Sequence, residues 1–304
     1  MDNMDMLREK ILRLKEEKRA YILAPFYQQL EVQEIADAVG DSFALAQKAQ
    51  QADCDVIVLC GVRFMAESAK ILNPGRKVYL PNTEAGCPMA DMIDEDDVRA
   101  LREQYPEAAV VCYVNSSAAV KAASDVCCTS SSAERIVRAL PQKQIIFVPD
   151  ENLGSYCASL APEKEFSLYR GFCPPHNMLT REHAEAARAA HPNARIAVHP
   201  ECRPEVREYA DYIGSTAGIL KYVKASDAEE FVIGTECGVQ EILKRDCPEK
   251  KIYSIREHFL CPNMKKTTLE DVLLALEGGV PEIELPEAEM IGARQALERM
   301  ITLG

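Results

Sequence analysis

Three cysteines are followed by proline at near-equal intervals: Cys87 in EAGCPMAD, Cys173 in RGFCPPHN and Cys261 in LCPNMK, separated by 86 residues (173 − 87) and 88 residues (261 − 173). Thiolates are soft ligands that select zinc, copper(I) or iron-sulfur clusters. No C-x-x-C occurs among the twelve cysteines, which removes zinc ribbons, ferredoxin loops and thioredoxin-like motifs together. A metal site must therefore be assembled from residues far apart in the chain. A structural zinc would need a fourth ligand, such as His176 or His258. A [4Fe-4S] cluster on three cysteines would leave one iron open to substrate oxygens, a Lewis acid suited to dehydration. A fourth Cys-Pro, at Cys247 in KRDCPEKKIY, falls at the opposite end of its strand and is assigned no metal role. Cys54, Cys60, Cys112, Cys127, Cys128 and Cys237 lie on or beside apolar runs and read as small buried hydrophobes, with Cys157 and Cys202 as bystanders.

The elements that would bring the three thiols together are visible as a repeat of about 86 residues. First strands read AYILAPFYQ (20–28), AVVCYVNSS (109–117) and RIAVHPECR (195–203); second ones follow with Asp37, Asp125 and Asp211 in register. Third strands read DVIVLCGV (55–62), QIIFVPDE (144–151) and EFVIGTEC (230–237), and each fourth strand leads into a Cys-Pro. Short continuous apolar runs separated by helical patterns indicate parallel strands covered on both faces. The expected fold is α/β: three homologous three-layer αβα domains with parallel sheets around a pseudo-threefold axis. Their expected bounds are 1–93 with Cys87, 94–179 with Cys173 and 180–265 with Cys261, and 266–304 is a helical extension packing on the first domain. Open parallel sheets bind ligands beyond the carboxyl ends of their strands, which is where the Cys-Pro loops fall.

The same edge collects polar residues. Tyr27, Asn115 and Glu201 end the first strands, with Tyr113 and His199 two residues before the latter two. Glu201 and His199 could move protons, and Tyr27 could donate to a developing charge. Ser42, Ser130, Ser215 and Thr216 close the second strands just before helical patterns, where hydroxyls and free N–H groups suit a phosphate or carboxylates. Plain helix capping is the competing role for these hydroxyls. His183 and His191 are expected at solvated helix positions. There is no Walker A, G-x-G-x-x-G or H-E-x-x-H pattern.

A net charge of −13 argues against nucleic acid, because binding there needs a basic surface to displace counterions. The charged start MLREKILRLKEEK has no apolar leader segment, and no later run has membrane-spanning length. A cytoplasmic protein with reduced thiols is expected.

Taken together, YQ at 27–28, GDS at 40–42, FMAESAKILNP at 64–74, CPMA at 87–90, YVNS at 113–116, HPEC at 199–202, GST at 214–216 and CPNMK at 261–265 make the chain resemble quinolinate synthase along essentially its whole length. The resemblance implies a [4Fe-4S] cluster on Cys87, Cys173 and Cys261. It also implies condensation of iminoaspartate with dihydroxyacetone phosphate to quinolinate, with loss of phosphate and water, in NAD biosynthesis. Residues matching Tyr27, Tyr113, Asn115, His199 and Glu201 line such a pocket, and those matching Ser42, Ser130, Ser215 and Thr216 contact phosphate and carboxylates. L-aspartate oxidase is the implied functional partner, since iminoaspartate must be supplied. One departure stands out: where the family usually reads A-H-x-Y-Q, this chain has Pro25, which has no titratable group. That leaves open a sibling cluster-dependent lyase or dehydratase on another small substrate, a non-catalytic cluster sensor of iron or oxygen, and a zinc-bound scaffold.

Overall fold

The structure, a computed structural model, describes residues 3–304. Its strands form three separate four-stranded parallel sheets, and each follows the same spatial order of second, first, third and fourth strand of its unit. Unit one contains α1 (Asn3–Glu17), β1 (Ala20–Pro25), α2 (Leu30–Ile35), β2 (Ala38–Gly40), α3 (Ser42–Gln51), β3 (Val56–Leu59), α4 (Arg63–Leu72) and β4 (Lys77–Tyr79). Unit two runs through α5 (Glu95–Gln104), β5 (Ala109–Tyr113), α6 (Ala118–Ala122), β6 (Val126–Cys128), α7 (Ala133–Ala139), β7 (Gln144–Val148), α8 (Glu151–Leu160) and β8 (Glu165–Leu168), then α9 (Pro174–Asn177). Unit three comprises α10 (Arg181–Ala190), β9 (Arg195–Val198), α11 (Pro204–Arg207), β10 (Tyr212–Ile213), α12 (Thr216–Ala225), β11 (Glu230–Gly234), α13 (Cys237–Asp246) and β12 (Lys251–Ser254). The α/β fold of three similar units expected from the repeat is the observed one.

The central strands are buried on both faces, as their unbroken Val, Ile and Leu content requires: every residue of β3 and β5 is buried. The repeated aspartates lock each edge strand to the first strand. Asp37, Asp125 and Asp211 accept the N–H of Ile22, Val110 and Ile196 at 2.8, 2.7 and 2.8 Å. Their own N–H groups return the bond to the same residues' carbonyls. A cation from the last turn of each first helix pairs with the carboxylate: Lys15 with Asp37 at 2.7 Å, Arg102 with Asp125 at 2.9 Å and Arg188 with Asp211 at 2.9 Å.

Past the third unit the chain forms α14 (Leu269–Glu277), stopped by Gly278 at φ 84°, and α15 (Glu287–Leu303). Helix α14 packs on α1 and β3 of unit one. Helix α15 lies against α4 of unit one and, more extensively, against α6, β6 and α7 of unit two. Its buried stripe is Ala293, Ala296, Leu297 and Met300, the i, i+3, i+4, i+7 face of a helix. Gly292 permits the close approach, since a Cβ there would meet Ala122 at 3.0 Å. One apolar core runs without interruption through units one and two and takes in this stripe, whereas unit three buries two cores of its own.

Candidate metal centre and active site

The loops beyond the strand ends enclose a cavity of about 110 Å³ to which every unit contributes. Cys87, Cys173 and Cys261 all line it, and all three are free and partly buried. Cys247 is instead buried at the far end of α13, as its position before β12 demands. His258 is not among the lining residues.

The surroundings of the three sulfurs suit metal ligation. Burial pushes the Cys87 thiol up to about 12, holds Cys173 well above the ordinary thiol value and raises Cys261. Opposing this, backbone N–H groups point at each sulfur: Ala90 and Met89 at Cys87, His176 at Cys173, and Met264 and Asn263 at Cys261. Amide donors aimed at buried sulfurs stabilise thiolates, and a bound cation supplies the remaining compensation. This is a cysteine-rich site able to hold a metal.

Three further walls of the cavity carry proton-active groups. Glu201 and His199 follow β9, Tyr113 and Asn115 end and follow β5, and Tyr27 follows β1. The Glu201 carboxylate is 2.8 Å from His176 Nδ1 and 3.4 Å from His199 Nδ1. Burial alone would raise this carboxyl; the His199 and His176 imidazoles overcome that and hold it well below the ordinary carboxylate range. His176 is itself pushed down by burial, which outweighs the pull of Glu201. Burial and the Glu201 charge hold the Tyr27 and Tyr113 phenols well above their usual value, so both remain proton donors.

His176 and Thr235 join these groups across units. Tyr27 Oη lies 2.8 Å from Thr235 Oγ1, which lies 3.0 Å from His176 Nε2, and Thr216 donates to Tyr27 at 3.1 Å. Since Tyr27 receives the Thr216 proton, it can pass its own to Thr235, and Thr235 to His176 Nε2. Nδ1–H of that imidazole then faces Glu201. His176 Nδ1 is also 3.1 Å from Cys173 Sγ, and the donor atoms of Cys173, His176 and Glu201 lie within 4.8 Å of one another.

Of the hydroxyls expected at the strand ends, Ser42, Ser130 and Thr216 line the cavity, and Ser130 Oγ is 3.2 Å from His199 Nε2. Ser215 is not among the lining residues; its Oγ accepts the N–H of Gly218 at 3.1 Å and caps α12. The cap of α3 is Asp41, which accepts from Ala44 at 2.9 Å and leaves Ser42 in the first turn. Pro25 also borders the cavity, at the end of β1 beside Gly40.

Asp150 and Glu236, which the sequence reading did not single out, are buried next to the cysteine loops. Burial, then Glu201, raises the Asp150 carboxyl well above its usual value, against the N–H groups of Leu153, Cys173 and Asn152. Burial likewise raises Glu236, against Lys265 and the N–H groups of Gly238 and Cys261. Gly238 is required here, because a Cβ would sit 2.6 Å from the Phe26 carbonyl oxygen and separate α13 from Tyr27.

Residues 9–302 match the family model described as Quinolinate synthetase A protein. The chain is 51% identical over 302 residues to the quinolinate synthase of Caldicellulosiruptor bescii, covering 99% of this chain and 100% of that protein. It is 50% identical over 295 residues to that of Thermodesulfovibrio yellowstonii, 97% of each chain. With the quinolinate synthase of Methanoregula boonei the identity is 48% over 303 residues, 100% of both. A cysteine from each of three like units on one cavity, beside a buried acid-base chain, accompanies a match from end to end: the chain belongs to the quinolinate synthetase A protein family.

Proposed function

We propose that this chain is an enzyme that condenses iminoaspartate with dihydroxyacetone phosphate to quinolinate, releasing phosphate and water, in NAD biosynthesis. The observation that carries the reading is the meeting of one Cys-Pro thiol from each unit at a cavity that also holds Glu201 and its hydrogen-bonded imidazoles. In this reading Cys87, Cys173 and Cys261 hold a [4Fe-4S] cluster. When bound, such a cluster supplies an open iron as a Lewis acid for loss of substrate hydroxyl. Glu201 and His199 serve as proton carriers, and Tyr27 as the donor to developing negative charge. Ser42, Ser130, Ser215 and Thr216, with Tyr113 and Asn115, orient phosphate and carboxylates. The units 1–93, 94–179 and 180–265, with the extension 266–304, each bring one wall to this chemistry. No helix among the described residues is long and apolar enough to cross a membrane, and the reading places the reaction in the cytoplasm, where L-aspartate oxidase supplies iminoaspartate.

Cys173, His176 and Glu201 favour a second occupant, a single zinc ion, because their donor atoms already lie within 4.8 Å of one another. Iron and sulfide analysis against zinc, on protein purified without oxygen, separates the two. The functional test is anaerobic turnover with freshly generated iminoaspartate and dihydroxyacetone phosphate, read as quinolinate formed. Turnover by the unaltered chain is expected, with Pro25→His changing kcat less than loss of Thr235 does. A reconstituted protein that makes no quinolinate until Pro25 is replaced would assign it another substrate.

A further inference from the structure

The three units place their cysteines by one construction, and one unit lacks a part of it. Helices α4, α8 and α13 each span ten residues and follow the third strand of their unit. The first N–H of each donates to the carbonyl two residues before the cysteine: Arg63 to Ala85 at 2.8 Å, Glu151 to Gly171 at 2.8 Å and Cys237 to Phe259 at 2.7 Å. The residues capping these helices are Val62, Asp150 and Glu236.

In units two and three the cap divides its carboxylate between two tasks. Asp150 Oδ1 accepts the Leu153 N–H of the helix at 2.6 Å, and Oδ2 accepts the Cys173 N–H at 3.1 Å. Glu236 Oε2 accepts the Gly238 N–H at 2.6 Å, and Oε1 accepts the Cys261 N–H at 3.3 Å. Both side chains are buried. In unit one the cap is Val62, whose side chain has no acceptor. A buried anion beside a thiolate is unfavourable, and Ser, Thr or Asn would cap the helix without that repulsion. Capping alone therefore does not explain a carboxylate here; a second acceptor oxygen aimed at the cysteine backbone does.

We propose that Asp150 and Glu236 are positioning residues for the metal centre, each fixing its own unit's cysteine to the helix end, and that Cys87 is the thiol held least firmly. The inference rests on the reading of Cys87, Cys173 and Cys261 as the ligands. Groups that orient ligands from behind commonly change metal affinity about 10- to 100-fold when altered.

The test uses Asp150→Asn and Glu236→Gln in the full chain. Each amide keeps one acceptor oxygen, enough for the helix, and turns an NH2 towards the cysteine N–H. The expected result is an apoprotein with unchanged circular dichroism and melting, whose reconstituted form loses iron to a ferrous chelator at least about tenfold faster than the unaltered protein. Folded variants that release iron at the unaltered rate would overturn the proposal. Amide hydrogen exchange on the unaltered apoprotein needs no variant to fold and takes up no metal. Cys173 and Cys261 are expected to exchange about tenfold or more slowly relative to Cys87; equal exchange at all three would also overturn it. An unaltered protein that takes up no iron or sulfide retires the cluster reading instead, and the exchange result still decides the clamps.

Discussion

Thr235 has no place in any sequence motif, yet it is the link through which Tyr27 and His176 touch. A hydroxyl between a phenol and an imidazole nitrogen can pass a proton in either direction, and Thr235→Val keeps the shape while removing that step. The expected outcome is a fall in kcat of about 10²-fold, the lower end of what positioned acid-base groups supply, with little change in KM. Iron and sulfide content should stay at the unaltered level, since Thr235 touches no thiol; a normal kcat would mean that water bypasses the chain. The meeting of Cys87, Cys173 and Cys261 at one cavity is readable from the sequence because a period marks all three. His176 was weighed there only as a fourth zinc ligand, because its partners lie on other units: Thr235 is 59 residues away and Tyr27 meets Thr235 across 208. No spacing encodes such contacts. Asp150 and Glu236 escape for a different reason, since Val62 at the matching position breaks the threefold pattern that revealed the cysteines.

At the scale of the element, the aspartate that ties edge strand to central strand is the clearest device the repeat carries. Its register was visible in the sequence; its purpose needed the paired bonds 15 residues apart that recur in all three units. Asp211 is the most informative copy. Burial pushes its carboxyl up, but the Ile196 N–H together with Arg188 and Arg195 overcomes this and holds it below the ordinary value. A carboxylate with a depressed folded pKa stabilises above its unfolded pKa of about 3.9, and that contribution is lost as pH falls through the lower folded value. Asp211→Ala is therefore expected to destabilise the apoprotein by about 1–3 kcal/mol near neutral pH in denaturant titrations, with the gap closing below about pH 3.9. A gap that persists in acid would show that the loss is one of packing and not of charge. Strands were legible throughout as apolar runs, and helix ends to within a residue or two. The caps were less so: Asp41 and Ser215 both precede helices, and only the folded backbone shows which residue closes the turn and which faces the cavity.

Across the whole molecule the three units are alike in topology but unlike in attachment. Units one and two share a continuous apolar core, sealed by α15, so separating them would expose side chains such as Leu297 and Met300. Unit three keeps its own cores and reaches unit one through Phe26, Tyr27 and Leu30, which are only partly buried. Beside that patch a groove of about 610 Å³, lined by Phe26, Val39, Leu220 and Ile242, remains unfilled. Much of the remaining seam is polar, including Tyr27 with Thr235, His199 with Ser130 and Arg207 with the Asn152 carbonyl. Apolar burial sets most of the cost of opening, so unit three should detach at a lower free energy than global unfolding. In the apoprotein, amides of β9 and β11 are expected to exchange before those of β5 and β7. A centre bound by one thiol from each unit stabilises only the assembled arrangement, and a ligand that binds the closed state raises protection where opening was easiest. Reconstitution should therefore slow exchange most in β9 and β11 and least in β5 and β7. Uniform protection before reconstitution, or an equal gain in all three sheets after it, would contradict this division of the molecule.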